Sequence, residues 1–408
     1  MTLKKVSNFT FIILIFSIVF DPANSILKLK NLSFFLFIIL SIKDLNYKSI
    51  LQVLLFQVIF FITLAFQFLI PTTSIDYPYL ITTYKTFILF FLLFHCEEKS
   101  SFFEIFYFSN LIVAFFCVLL WVIMFFIPGM ESLLYGLLTI GFLKNSFGQC
   151  IFIARRSFIG ITVFQVFYKT SPLAIICLAF SSYIFLEKRN TKYLLQSLLL
   201  FFYLFVSGTR MNILCAICIL IWSVMYHCIR YKKYVLVSAI FGLSCFSFIV
   251  ILALLLSDKG DYSLNVKTLH IVSYNQLFSS NILRYLFVGD GPGAEFFTLG
   301  FNRMDSVTEL SYYDLIRNYG LIFSIMILFV YLFPVINTNR KNKGLGLSMN
   351  IGYLLYLSVA GTNPFLFSST GVISFLIMAY ISKNTLQFPE YQRKKENKTL
   401  RYLLKITH

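Results

Sequence analysis

Two polar segments of this chain carry residue types that can support acid–base chemistry and anion binding. The longer one runs from Val288 to Gly320 and contains Glu309 and Arg303, with Arg284 just before it. A carboxylate can act as a general base on a hydroxyl group, and a guanidinium group presents a planar fork that matches phosphate oxygens. The combination predicts a site in which Glu309 takes a proton while arginines bind an anion.

The residues around Glu309 predict the start of a helix that Thr308 caps. Glu309 and Tyr312 then fall on one helix face, and Tyr312 is a candidate for contact with the substrate. Cations beside a carboxylate favour its charged form, so nearby arginines would weaken Glu309 as a base. The competing interpretation is that Glu309 forms a structural ion pair with one of these arginines. His270, which precedes this segment in the chain, is the second candidate for the base.

The run Gly289-Asp-Gly-Pro-Gly293 predicts a tight turn in which the backbone approaches a ligand closely. No strand pattern precedes this run and no Gly-Lys-Ser or Gly-Lys-Thr follows it, which disfavours a nucleotide-binding loop. We expect Gly289, Gly291 and Gly293 to contact the substrate.

The shorter polar segment contains two adjacent arginines, Arg155 and Arg156. Their guanidinium groups suit a phosphate or pyrophosphate at the bilayer edge, and contact with bulk lipid headgroups is the alternative. A third arginine, Arg210, follows the tight turn Ser207-Gly-Thr and opens the next helix. A cation at a helix N-terminus is unfavourable against the helix dipole, which indicates a bound anion there. The alternative is an ordinary turn in which the arginine snorkels to the membrane surface.

The elements that position these residues are predicted to be membrane helices. Apolar residues make up 59% of the 408 and charged residues only 12%, whereas soluble domains contain about 25% charged residues. Apolar runs recur along the whole length, so we expect an all-α, polytopic integral membrane bundle of about 12 transmembrane helices. The expected spans are 7–20, 31–42, 50–70, 79–94, 105–128, 172–186, 193–206, 211–229, 235–256, 318–336, 347–362 and 365–382.

The distribution of the basic residues predicts how the bundle is oriented. The net charge of +17 is concentrated in short loops, which is typical of membrane topology and argues against a nucleic-acid partner. The chain therefore reads as one transmembrane domain, residues 1–382, with both termini in the cytoplasm and a basic cytoplasmic tail, residues 383–408. The two larger loops, about 129–171 and 257–317, are expected to face outward. No cluster of residues suggests a metal, and no cofactor is expected.

The order of these motifs resembles that in bacterial O-antigen polymerases, a family related to the O-antigen ligases. The paired Arg155 and Arg156, the turn before Arg210, the glycine run, and a glycine eleven residues after Glu309 occur here in the same order. In the ligases a histidine followed by asparagine usually occupies the place of Glu309, so the sequence favours a polymerase over a ligase.

This resemblance implies glycosyl transfer on the periplasmic side of a bacterial inner membrane, without a metal or cofactor. The donor would be a glycan on undecaprenyl pyrophosphate and the acceptor a sugar hydroxyl of the next lipid-linked repeat unit, with a chain-length regulator as a further candidate partner. Glu309, Arg156 and Arg284 would be catalytic. The expected substrate contacts are Arg155, Arg210, Arg303, Gly289, Gly291, Gly293, Tyr312 and His270. There are two alternatives: a flippase or transporter of lipid-linked oligosaccharide, and an O-antigen ligase.

Overall fold

The protein is a mostly helical chain with several helices that suit a membrane. The computed structural model describes residues 3–42, 50–69, 74–96, 101–158, 161–233, 236, 262–338 and 343–384. Helix accounts for 75% of it, and six helices are long and apolar enough to cross a membrane. They span residues 50–69, 77–95, 102–126, 210–230, 311–336 and 344–361. The larger count of about 12 spans stays a prediction. The expected span at 235–256 and the tail after residue 384 lie almost entirely outside the described residues.

Most of the described helices begin and end close to the apolar runs that predicted them, and three others lie within the two expected loops. The helices are α1 Leu3–Phe20, α2 Lys30–Ser41, α3 Ile50–Leu69, α4 Tyr77–Leu89, α5 Leu93–Cys96, α6 Phe102–Phe126, α7 Met130–Thr139, α8 Leu173–Lys188, α9 Thr191–Val206, α10 Arg210–Arg230, α11 Tyr262–Ser280, α12 Ile282–Phe287, α13 Ser311–Ile336, α14 Lys343–Gly361 and α15 Ser369–Lys383. The predicted turn between α9 and α10 is confirmed at Ser207–Thr209, where Gly208 has a φ of +65°.

Helix α15 lies at the centre of the bundle. Its side chains from Ser369 to Ser382 are all buried, and it contacts α1, α4, α6, α13 and α14. A helix that is apolar all round must be enclosed by other helices or by lipid, and here other helices enclose it. The Ser368 side chain accepts a hydrogen bond from the Gly371 amide and caps the helix.

Two β-hairpins depart from the expected all-α fold. Strand β1 (Ile151–Phe158) pairs antiparallel with β2 (Ile161–Tyr168), and β3 (Phe296–Thr298) pairs with β4 (Arg303–Asp305). One hairpin falls in each of the two larger loops. In β1 the buried Ile151 and Ile153 alternate with the exposed Phe152, which is the side-chain period of a strand with one covered face.

One buried carboxylate organises the loop between α1 and α2. Asp21 accepts hydrogen bonds from four successive backbone amides at 2.7–3.2 Å, those of Ser25, Ile26, Leu27 and Lys28. Burial alone would raise the pKa of Asp21, but these four donors lower it, since they stabilise the charged form. The loop is fixed on its other side by Thr170, whose hydroxyl donates to the Val19 carbonyl at 2.9 Å.

The glycine run packs against a break in helix α13. Gly320 has a φ of +75° and a ψ of 163°, so the helix is interrupted there. An interrupted helix leaves carbonyl groups without partners, which is costly in a membrane. The Asp290 amide donates to the Arg317 carbonyl at 2.7 Å, and the Gly291 amide donates to the Asn318 carbonyl at 3.0 Å. The glycine run therefore caps the first part of α13.

Gly289 permits the close contact that this capping needs. Its φ is +73°, and an added Cβ would lie 2.4 Å from the Arg317 carbonyl oxygen. Both the backbone conformation and the lack of space therefore require glycine at this position.

We expect Gly289→Ala to destabilise the protein much more than Gly129→Ala. Gly129 also has a positive φ, +80°, but nothing lies within 4 Å of the Cβ it would gain. The strained backbone costs about 1 kcal/mol in both variants, and the clash adds about 1–3 kcal/mol at Gly289 alone. Thermal unfolding of the two purified variants in detergent measures the difference. Equal losses of stability would contradict the proposed close packing.

Candidate functional site

A cavity opens where the loop after α1, helix α4, the start of α13 and the segment before α15 meet. Its volume is about 510 Å³, which falls within the range of about 300–1,000 Å³ typical of small-molecule sites. Elements distant in sequence line it, so the cavity forms only in the folded bundle.

Three lysines line this cavity: Lys30 at the start of α2, Lys85 in α4, and Lys169 after β2. Lys30 donates a hydrogen bond to the Pro22 carbonyl. Within the described part of the chain, none of the three has a carboxylate partner within ion-pair distance. Three cations that share a cavity without a direct carboxylate partner favour an anionic ligand.

The charge of Lys30 responds to its neighbours in the cavity. Burial, together with the ammonium groups of Lys169 and Lys85, lowers the pKa of Lys30 to about 8. Asp21 and Cys150 act in the opposite direction. Lys30 is thus the cation in the cavity whose charge changes just above neutral pH.

Uncharged polar groups and aromatic rings complete the lining. Hydroxyl and amide side chains come from α4, α13 and the segment before α15, and two phenylalanines, Phe365 and Phe367, lie beside them. These polar side chains are Thr82, Thr86, Ser311, Asn318, Ser368, Ser369 and Thr370. Cations, neutral hydrogen-bonding groups and apolar rings together match a ligand with an anionic part and a hydroxylated part.

One carboxylate, that of Asp314, also lines the cavity, but its oxygens already have partners. They accept from the Tyr274 hydroxyl at 2.6 Å, the Thr308 amide at 2.9 Å and the Thr308 hydroxyl at 3.1 Å. The Arg317 guanidinium lies 3.3 Å away. With these partners, Asp314 holds the Thr308 segment and Arg317 in place.

Arg317 is completely buried beside this carboxylate. Its guanidinium group donates to the Ala294 carbonyl at 2.8 Å and also to the Ser306 carbonyl, and it lies 4.5 Å from the centre of the Phe296 ring. The sequence analysis did not single out Arg317. The spacing of Asp314 and Arg317, three residues apart on a helix, is a signal that predicts their ion pair.

Glu309 lies outside the cavity lining. It forms an ion pair with Lys267 at 3.3 Å, and its side chain is 40% exposed. Helix α13 begins after Glu309, at Ser311, and Thr308 accepts a hydrogen bond from the Leu310 amide. The predicted helix start is therefore two residues early. Glu309 forms an ion pair, as the competing interpretation expected, but its partner is a lysine and not an arginine.

The predicted arginines of the second loop also have structural partners. Arg284 pairs with Asp290 at 2.8 Å and donates to the Gly289 carbonyl at 3.1 Å, which fixes the glycine run from one side. Arg303 pairs with Asp305 at 2.9 Å on the exposed hairpin, with its side chain 69% exposed. Neither arginine lines the described cavity.

Arg155 of the first loop and Arg210 of the turn before α10 lie outside the cavity lining. Arg155 is exposed and pairs with Glu131 at 2.6 Å. Arg156 lies in β1, and its side chain falls outside the described residues. Arg210 opens helix α10, as predicted, and does not line the cavity.

The remaining predicted contacts face protein. An added Cβ at Gly291 would meet the Gln67 side chain at 2.5 Å, and one at Gly293 would meet Leu80 at 3.0 Å. The close approach of the glycine run is therefore to other helices. Tyr312 donates its hydroxyl hydrogen to the Leu357 carbonyl at 2.8 Å.

His270 is buried under the second hairpin. Its ring lies edge-on to Phe301, with centroids 4.5 Å apart, and an added Cβ at Gly300 would meet it at 2.6 Å. Burial lowers the pKa of His270, so its neutral form is favoured. Neither ring nitrogen has a hydrogen-bond partner in the described structure.

No protein-family model, no curated protein and no solved structure matches this chain. The resemblance of the sequence motifs therefore stays an expectation, and the function has to be argued from the cavity. Among the described residues, no group of three or more His, Cys, Asp or Glu side chains is arranged to hold a metal ion.

The lysines of the cavity were not among the expected site residues, although Lys85 gave a signal. It is a charged residue within an apolar helix, and such residues in membrane segments mark substrate or ion sites. Lys30 and Lys169 carried no comparable signal, because both lie at helix or strand ends where basic residues are common.

We expect Arg317→Met to lower the free energy of unfolding by about 3–5 kcal/mol, because it leaves the buried Asp314 without its counter-charge. The matched control is Arg303→Met on the exposed hairpin, for which we expect a change below about 0.5 kcal/mol. Thermal or denaturant unfolding of the purified variants provides the measurement. A similarly small effect for both would contradict the structural role of Arg317.

We expect binding of inorganic pyrophosphate to weaken about tenfold between pH 7 and pH 9, since Lys30 is charged below its pKa and loses its charge above it. Titration calorimetry across this range gives the dissociation constants. The Lys30→Arg variant, which stays charged throughout, reports the titration of the ligand alone and should show a flatter profile. The same pH dependence in both proteins would exclude Lys30 as the responsible group.

Proposed function

We propose that this protein is a membrane glycosyltransferase that polymerises lipid-linked oligosaccharide repeat units. The observation that carries the proposal is the cavity lined by Lys30, Lys85 and Lys169 beside neutral polar and aromatic side chains. A diphosphate-linked sugar has the same three parts, namely an anionic group, hydroxyl groups and apolar ring faces. The order of the sequence motifs, which resembles that of O-antigen polymerases, supports the same conclusion.

In this proposal the lysines bind the diphosphate that joins the growing glycan to its lipid. The acceptor hydroxyl oxygen attacks the anomeric carbon, the bond from that carbon to the diphosphate oxygen breaks, and the electron pair leaves with the diphosphate. Fixed ammonium groups stabilise the negative charge that develops on this leaving group. The acceptor proton passes to a general base; the sequence-based candidate, Glu309, lies outside the cavity lining, two residues before Ser311, and pairs with Lys267.

The proposed reaction takes place on the periplasmic side of the bacterial inner membrane. The lipid-linked repeat unit is the expected partner there, together with the bilayer. A chain-length regulator is a further candidate partner.

A flippase or transporter of the same lipid-linked oligosaccharide is the second candidate function. Helix α13 is interrupted at Gly320, and Lys85 lies in an apolar helix. Transporters commonly combine broken helices with charged groups in their membrane segments. An O-antigen ligase would use the same donor, but its usual His-Asn pair is replaced by Glu309 and Leu310.

We expect Lys85→Ala to reduce polymer formation about 100-fold, because it removes one cation from the proposed leaving-group site. The control is Lys144→Ala, which removes an exposed lysine outside the cavity. A strain that lacks the chromosomal gene and expresses each variant is assayed for long glycan chains by gel electrophoresis, with the amount of membrane protein measured in parallel.

The same strains separate the two candidate functions. A polymerase defect leaves single repeat units that have crossed the membrane, whereas a flippase defect leaves them on the cytoplasmic side. Normal polymer from the Lys85→Ala strain would contradict the assignment of the cavity as the reaction site.

A further inference from the structure

We propose that Asn318 is a specificity-determining residue that accepts a hydrogen bond from a hydroxyl group of the sugar attached to the diphosphate. This inference rests on the proposed function, since it assigns the sugar end of the same substrate. It goes further in naming the part of the cavity that distinguishes a glycan-bearing lipid diphosphate from a bare one.

The main observation is a cavity-lining asparagine whose buried amide oxygen has no hydrogen-bond partner. Asn318 is only 3% exposed, and its Oδ1 atom has no hydrogen-bond partner in the described structure. Several other buried side-chain atoms share this property, but Asn318 is the one residue among them that lines the cavity. Buried acceptors in proteins are nearly always paired, so a ligand is the natural partner of this one.

The position of Asn318 is fixed by the glycine run. Its backbone carbonyl accepts from the Gly291 amide at 3.0 Å, and that of the preceding Arg317 accepts from the Asp290 amide at 2.7 Å. The helix is interrupted just beyond, at Gly320. A side chain on such a constrained segment loses little freedom when a ligand binds.

Asn318 shares one face of α13 with two other lining residues. Ser311, Asp314 and Asn318 all border the cavity, and their spacing of three and four residues places them on the same side of the helix. The Ser311 hydroxyl donates to the Asn363 carbonyl at 2.5 Å, and the Asp314 oxygens are fully engaged. Asn318 therefore offers the unused acceptor on this face.

The chemistry of an acceptor selects the part of the ligand that it contacts. A carbonyl oxygen repels the oxygens of a diphosphate and attracts a hydroxyl hydrogen. The lysines Lys30, Lys85 and Lys169 suit the diphosphate, which leaves the sugar for the α13 face. Phe365 and Phe367, in the segment before α15, also line the cavity and can cover an apolar sugar face.

The test compares two ligands on the full-length purified protein in lipid nanodiscs. One is undecaprenyl diphosphate, and the other is the lipid-linked repeat unit extracted from a strain that lacks this gene. For the unmodified protein we expect the repeat unit to bind about tenfold more tightly, because only its sugar supplies a donor to the otherwise unpaired amide oxygen. For Asn318→Leu we expect this preference to vanish while the affinity for undecaprenyl diphosphate changes less than about twofold.

Two further variants make the result specific. Asn318→Asp keeps an acceptor oxygen and should keep a preference for the repeat unit. Asn145→Leu removes an exposed amide outside the cavity and should leave both affinities unchanged. Unchanged affinity for undecaprenyl diphosphate also establishes that each variant is folded.

The outcomes for this inference and for the proposed function differ. If the unmodified protein binds neither lipid, the proposed function fails. If it binds both and Asn318→Leu keeps the full preference for the repeat unit, the role of Asn318 is refuted while the lysine site stands. Loss of both affinities in Lys85→Ala alone would support the division of the cavity into a diphosphate part and a sugar part.

Discussion

Removing a guanidinium group from water costs several kcal/mol unless it finds a counter-charge and hydrogen-bond acceptors. Arg317 is completely buried; Asp314 supplies the counter-charge, the Ala294 and Ser306 carbonyls accept from its two terminal nitrogens, and the Phe296 ring lies against it. Its acceptors come from the segment after the glycine run and from the segment before α13, so this one side chain joins three parts of the chain. The glycine run, the second hairpin and the broken helix are therefore parts of a single arrangement.

That arrangement explains why a polar wall can persist inside an otherwise apolar bundle. The first part of α13 carries Ser311, Asp314 and Asn318 to the cavity, and its carbonyl groups are capped by the amides of Asp290 and Gly291. The lysines come from other elements, and Lys30 depends on the loop that Asp21 organises. Two buried carboxylates, Asp21 and Asp314, thus position the site without belonging to its reactive groups.

Hydrophobicity located most of the apolar helices, because polar breaks separate the apolar runs. It did not predict α7, α11 and α12, which lie within the two expected loops. The hairpins were missed because the short alternating stretches, such as Ile151 to Ile153, are weak signals beside those runs. For the site, the sequence drew attention to the right loop but not to the right residues. Arg284 and Arg303 have acceptable chemistry for an anion site, yet each has a carboxylate neighbour that only the folded chain reveals. Lys30 and Lys169 enter the cavity through tertiary packing alone.

Helix α15 has a bearing on how the protein is made. It is the last described helix of the chain and it is enclosed on all sides, with α1, the first helix, among its neighbours. During synthesis the earlier helices must therefore enter the membrane before α15, the central helix of the bundle, is present. Because Ser369 and Thr370 at its start also line the cavity, the binding pocket can close only after α15 has been inserted. The insertion of α15 therefore completes both the bundle and the ligand-binding cavity.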